Sequence, residues 1–230
     1  MTGAQPAVWA VVPAAGKGSR FGGGTPKQYL ALAGKPLVQH ALEAVLDHPR
    51  VAGVVVALAA DDLHWPGWDT LRGKPVLSCT GGAERADSVL AALRAIPVAM
   101  ADGLVLVHDA ARPNLARADL ERLVKVADAH PDGAVLGAPV RDTLKRASDA
   151  ATILGTEPRE QLWRVFTPQA FRWRVLLQAL ERARDDGITV TDEAMAVERT
   201  GAQPRLVEGR EDNLKVTTPA DLRLMEALLQ

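Results

Sequence analysis

Short apolar runs alternate along the chain with stretches whose apolar residues recur every three or four positions. The runs Val8–Val12, Val51–Leu58, Val76–Ser78, Leu104–Val107, Ala134–Ala138 and Arg205–Val207 are mostly Val, Leu and Ala, a composition that suits strands covered on both faces. Val89, Leu90, Leu93 and Ile96 fall on one stripe of a helix, and Leu120, Leu123, Val124 and Ala127 fall on another. The last helix has a defined start: Thr218 can cap it, Pro219 suits its first turn, and Asp221 faces its positive end. This alternation predicts an α/β fold, a mostly parallel sheet flanked by helices on both faces. Repeats and low-complexity linkers are absent from the sequence, so one domain is expected over residues 1–230.

The rhythm breaks between Pro139 and Trp163. Strand-like pieces at Val140–Lys145 and Ile153–Thr156 are joined by a polar turn, which predicts a hairpin arm at about 139–163 projecting from the body. By composition alone the arm reads as a surface ornament rather than a dimerisation element.

Composition narrows the class. With 230 residues and 47% hydrophobic content, the chain can bury a substantial core without metals or disulfides. A formal net charge of -1 gives no overall field towards nucleic acid or an anionic membrane. Apolar runs stay well below the roughly 18 residues of a membrane span, and the N-terminus lacks the basic region of a secretory signal. Cys79 is the one cysteine, so neither an intrachain disulfide nor a zinc site is expected; it reads as a buried thiol on a strand. These features predict a cytoplasmic enzyme with no nucleic-acid or membrane partner.

Candidate chemistry gathers where strands end. The first strand runs into PAAGKGSRFGGGTPKQYL, which carries Lys17, Arg20 and Lys27 among five glycines. Such a loop can bring backbone N–H groups close to an anion. The P-loop pattern is absent, and Phe21 occupies the third glycine position of a dinucleotide fingerprint, which argues against an NAD site. Spacing alone leaves a phosphate loop and a solvated surface loop about equally supported. After the fourth run, His108, Asp109 and Arg112 follow in close order. Asp109 is placed either to bind a magnesium ion on a triphosphate or to make a turn. His108 reads as a core histidine. Gly81, Gly82, Glu84, Arg85 and Ser88 could hold a base or ribose, with Asp87 or Ser88 as a plain helix cap the equal alternative. Lys215, between Asn213 and Thr217, would by itself be read as solvated.

Together, PAAGKGSRFGGGTPKQYL, GGAERADSV, VLVHDAARP, APVRDTLKR, LWRVFTPQAF, TVTDEA and VEGREDNLKVTTPADL resemble the 2-C-methyl-D-erythritol 4-phosphate cytidylyltransferases of non-mevalonate isoprenoid synthesis. The resemblance runs through essentially the whole chain. It implies a nucleotidyltransferase domain with a glycosyltransferase-A-like fold, taking CTP and a polyol phosphate with Mg²⁺ or another divalent cation. It also implies a homodimer joined through the arm, which reverses the ornament reading. By resemblance, Arg20 and Lys27 stabilise charge on the reacting α-phosphate, while Arg159 and Lys215 position the attacking polyol phosphate. Asp109, Arg112, Thr143 and Thr191 resemble further contacts to that substrate. Ala14, Ala15, Gly16, Gly82 and Ser88 resemble the cytidine and triphosphate pocket, and Lys17 joins the cation set. Two positions depart from the family pattern: Ala83 stands where an Asp is common, and Pro158 precedes Arg159. The alternatives to weigh are a ribitol-5-phosphate cytidylyltransferase, a sugar-phosphate nucleotidyltransferase and a non-catalytic nucleotide-binding regulator.

Overall fold

A computed structural model of the chain describes residues 7–16, 24–97 and 103–229. In chain order its elements begin with β1 (Val8–Pro13), β2 (Ala31–Leu32), β3 (Lys35–Pro36), α1 (Leu37–Leu46), β4 (Val51–Leu58), β5 (Thr70–Leu71) and β6 (Lys74–Thr80). They continue with α2 (Arg85–Ala95), β7 (Leu104–Val107), α3 (Arg117–Ala129), β8 (Ala134–Pro139), β9 (Leu144–Ala147) and β10 (Ile153–Glu157). The chain closes with β11 (Trp163–Arg172), α4 (Trp173–Asp185), α5 (Glu193–Glu198), β12 (Arg205–Glu208) and α6 (Pro219–Leu228).

One eight-stranded sheet has the order β12-β8-β11-β7-β1-β4-β6-β5. The pairs β1–β4, β1–β7, β4–β6 and β8–β12 are parallel, and β11 runs antiparallel to both its neighbours. The six apolar runs all prove to be strands. Alternate residues of β1 explain the double coverage. Val8, Ala10 and Val12 join a core with Leu42, Val45, Leu120 and Leu123, from α1 and α3. Trp9 and Val11 join a second core with Val89, Leu93, Leu176 and Val197, from α2, α4 and α5. A smaller cluster of Leu32, Leu37, Ala111, Val216 and Met225 seats α6 beside the sheet.

Strand β11 is the element that periodicity does not reveal. Its register against β8 jumps from Val165 opposite Gly137 to Gln169 opposite Val135, so Phe166–Pro168 bulge out of the ladder. A proline lacks the N–H a central strand donates, and the bulge is where it can be accommodated. The arm also differs in detail from its expected bounds. Residues 140–143 carry the chain away from β8, and the ribbon itself pairs β9 with β10, apart from the main sheet. Lys145 donates to Thr156 and Arg146 pairs with Glu157 across the ribbon. Ile153 and Leu154 are each 64% exposed on it. Cys79 lies on β6 as expected, but it is only partly buried. Among the described residues, no helix is long and apolar enough to cross a membrane.

Candidate active site

The chain passes from β1 outward through β4 to β6, then returns by α2 to β7 on the other side of β1. That reversal leaves a crevice beyond the carboxyl ends of β1 and β7, the position where open α/β sheets bind ligands. A cavity of about 330 Å³ lies there. Its walls are the loop Ala14–Gly16 after β1, the segment Gly82–Arg85 with Ser88 after β6, and Asp109–Ala111 after β7; Lys27, Gln28, Lys215 and Thr217 complete it.

Backbone bonds fix these walls. Ala14 N–H donates to Ala57 O (2.8 Å), and His108 N–H donates to Val11 O (2.9 Å). Gln28, 4% exposed, turns inward and donates its amide to Ala14 O (2.7 Å) and Gly16 O (3.2 Å), holding the glycine loop from below. A Cβ on Gly81 would lie 2.7 Å from both Ala15 Cβ and Ser88 Oγ, so only glycine lets the end of β6 approach this loop. The cap of α2 is neither Asp87 nor Ser88. Glu84 occupies that position, and its N–H donates to Asp87 Oδ2 (3.2 Å). Ser88 Oγ instead accepts from Gly82 N–H and donates to Glu84 O, both at 3.2 Å, which ties the strand end to the helix start.

The two lysines arrive from opposite ends of the chain. Lys27, on the 3₁₀ turn Lys27–Tyr29, donates Nζ to Val216 O (3.2 Å). Val216 N–H in turn donates to Ala111 O (2.8 Å), which locks the C-terminal segment onto the loop after β7. Lys215 Nζ lies 2.9 Å from Asp109 Oδ2.

Asp109 is the electrostatic centre. Its Oδ1 accepts from Arg85 Nε (3.2 Å) and Nη2 (3.1 Å), and its Oδ2 faces Lys215 and Arg112 Nε (3.5 Å). Its N–H donates to Thr167 Oγ1 (2.9 Å), a hydroxyl supplied by the β11 bulge. Burial opposes ionisation of this carboxyl, but Arg85, then Lys215 and Arg112, outweigh it and hold the group well below the usual carboxylate range. His108 is fully buried between Arg112 O (3.0 Å) and Thr167 Oγ1 (3.1 Å), and burial lowers its pKa to about 4. It is therefore neutral at pH 7, in keeping with a core histidine.

Ala14, Ala15, Gly16, Lys27, Gly82, Ser88, Asp109 and Lys215 thus share one cleft. Arg112 stands behind it, donating to Asn213 O (2.6 Å) with its guanidinium 5.5 Å from the Phe166 ring centre. Thr143 and Arg159 lie exposed at the two feet of the arm, and neither lines the cleft of its own chain; Arg159 donates to Arg141 O. Thr191 is exposed ahead of α5, against Met195 Sδ. Lys17 and Arg20 lie outside the described residues.

As a magnesium ligand, Asp109 does not fit this arrangement, because cations occupy both its oxygens. Among the described residues there is also no group of three His, Cys, Asp or Glu side chains able to hold a metal ion.

Sequence reasoning left unassigned the supports behind these groups. Gln28, Thr167 and Asn213 are buried polar anchors, and Asn213 donates to Thr167 O (2.9 Å). Arg85 reaches Glu193, 108 positions away, through Nη1–Oε1 (2.6 Å) and Nη2–Oε2 (3.1 Å). Nothing local in the sequence signals such a pairing. The one available hint is that both residues lie in strings shared with the resembling family.

Known proteins agree with this geometry. The family profile described as 2-C-methyl-D-erythritol 4-phosphate cytidylyltransferase matches residues 8–230. A protein of that name from Stenotrophomonas maltophilia (strain R551-3) is 61% identical over 224 residues, covering 97% of each chain. Its namesake from Xanthomonas campestris pv. campestris (strain 8004) is 61% identical over 227 residues, covering 98% of this chain and 84% of that one. The crystal structure of a 4-diphosphocytidyl-2C-methyl-D-erythritol synthase superposes with a TM-score of 0.84 at 32% identity, covering 98% of this chain and all of the other. The Francisella tularensis 2-C-methyl-D-erythritol 4-phosphate cytidylyltransferase superposes at 0.81 with 30% identity, covering 95% and 97%. With a cleft at the sheet's switch point and two lysines converging on it, the chain belongs to the 2-C-methyl-D-erythritol 4-phosphate cytidylyltransferase family.

Proposed function

We propose that this chain transfers CMP from CTP to 2-C-methyl-D-erythritol 4-phosphate, giving 4-diphosphocytidyl-2-C-methyl-D-erythritol and pyrophosphate. The observation that carries the reading is the convergence of Lys27 and Lys215 on one cleft bounded by close-packed backbone. A phosphate oxygen of the polyol substrate attacks the α-phosphorus of CTP. A new P–O bond forms, and the bond to the β-phosphate bridging oxygen breaks, leaving its electron pair on pyrophosphate. The attacking oxygen is already anionic at neutral pH, so alignment and charge neutralisation supply the catalysis rather than a general base.

In this reading Ala14, Ala15, Gly16, Gly82 and Ser88 hold the nucleotide. Lys27, with Arg20 and Lys17, offsets charge on its phosphates. Lys215 orients the attacking phosphate beside Asp109, Arg112 and Thr191. Mg²⁺ enters as the counter-ion that a nucleoside triphosphate carries, with phosphate supplying its oxygens. A second copy of the chain completes the site by bringing Arg159 and Thr143 on its arm. Neither residue lines the cleft of its own chain, and that, with the exposure of Ile153 and Leu154, supports this arrangement. The net charge of -1 and the lone Cys79 support a cytoplasmic protein with no nucleic-acid partner.

The deciding experiment is a coupled pyrophosphate-release assay with CTP, Mg²⁺ and either methylerythritol phosphate or ribitol 5-phosphate. Release with the first polyol alone is expected. Equal turnover of ribitol 5-phosphate, or nucleotide binding without release on either substrate, would replace this reading with one of its rivals.

A further inference from the structure

Glu193 is the most deeply buried acid near the cleft, at 1% exposure, yet it does not line the cavity. Its setting is rigid. It opens α5, whose start is capped by Asp192 Oδ1 accepting from Met195 N–H (3.0 Å). Gln169 of β11 clamps the same turn, donating to Asp192 Oδ2 (2.8 Å) and accepting from Ala194 N–H (2.9 Å). The helix's own cap and the central strand β11 therefore hold Glu193 in place, and its carboxylate grips one edge of the Arg85 guanidinium at 2.6 and 3.1 Å.

The remaining edge of Arg85 meets Oδ1 of Asp109, which leaves Oδ2 to Lys215 at 2.9 Å, with Arg112 Nε farther off at 3.5 Å. Three cations (Arg85, Arg112, Lys215) stand against two anions (Asp109, Glu193), a surplus of one positive charge. Lys215 has the most exposed side chain of the five, at 39%, so the surplus faces the cleft through its ammonium. Without Glu193, Arg85 would be free to rotate onto both Asp109 oxygens, because a guanidinium prefers a two-pronged grip on a carboxylate. Lys215 would then lose its anchor.

We propose that Glu193 is a positioning residue for the reaction: by occupying one edge of Arg85 it confines that side chain to a single oxygen of Asp109, and so reserves the other oxygen to hold Lys215 in place. This rests on the assignment of Lys215 to the attacking polyol phosphate.

The test begins with wild-type enzyme and Lys215→Ala: turnover of CTP and methylerythritol phosphate by the first, and a lowered kcat/KM for methylerythritol phosphate in the second, check that assignment separately. In Glu193→Gln, which keeps the side chain's size, kcat/KM for methylerythritol phosphate should fall by about tenfold. CTP affinity by calorimetry should stay within about twofold of wild type, an expectation tied to the same network logic. The same substitution made in a Lys215→Ala background should have little further effect, since its route of action is already gone. Glu193→Asp, which keeps the charge but shortens the reach to Arg85, should give the same non-additive pattern and serves if Glu193→Gln melts early. Losses that multiply independently with Lys215→Ala, or a lowered melting temperature with unchanged kinetics, would overturn the proposal and leave Glu193 a purely structural acid.

Discussion

Lys27 lines the cleft rather than any of the apolar cores, and it donates to the Val216 carbonyl. Lys27→Ala and Lys215→Ala are each expected to lower kcat by about 10²–10³ while leaving the melting temperature near wild type, the usual scale for one lost charge-stabilising group. Steady-state pyrophosphate release beside a thermal melt checks this. His108 carries a different kind of consequence. Its pKa is lowered by burial to about 4, below its ordinary value, so between pH 6.5 and 4 the unfolded chain binds a proton that the native chain refuses. Stability is therefore lost as pH falls through that window, by on the order of 3 kcal/mol from this group. Urea unfolding at pH 7, 6 and 5 should show the decline, and His108→Gln should flatten it. Residues of this kind were legible in the sequence only by type. That His108 is a core residue follows from its position after an apolar run. That Arg85, Asp109 and Glu193 form one unit does not, because their partners are 24 and 108 positions apart and the pairing exists only once the fold brings the starts of α2 and α5 to the loop after β7.

Elements whose two faces meet two cores announce themselves in sequence, as β1, β4 and β7 do. The final helix was equally readable. Thr218 accepts from Asp221 N–H (3.3 Å), and Asp221 accepts in return from Thr218 N–H (2.8 Å). Thr218→Ala should cost about 1 kcal/mol in chemical denaturation, the typical worth of an N-cap. β11 escaped the pattern because its middle serves the site rather than the sheet. Thr167 and Gln169 are polar where a central strand would carry Val or Ile, and each is buried at 5% or less because it bonds to functional loops. The glycine loop was ambiguous for the opposite reason. Spacing could not show that Gln28 would fold under it, nor that Lys27 would reach Val216.

The arm stands apart from the main sheet, since among the described residues β9 and β10 pair only with each other. If the arm serves a second copy, two defective chains can repair one another. Lys27→Ala chains mixed with Arg159→Ala chains should recover part of the lost activity after subunit exchange, because one site in each mixed dimer is intact. Recovery absent after exchange is verified by mass spectrometry would confine each site to its own chain.

The bond from Lys27 to Val216 O spans 189 positions. A nascent polypeptide that ends just past β12 holds all eight strands of the sheet, but it lacks Lys215 and the carbonyl to which Lys27 donates. Catalytic competence is therefore deferred until translation is nearly finished, and a prematurely terminated product would carry a largely formed sheet without a working active site.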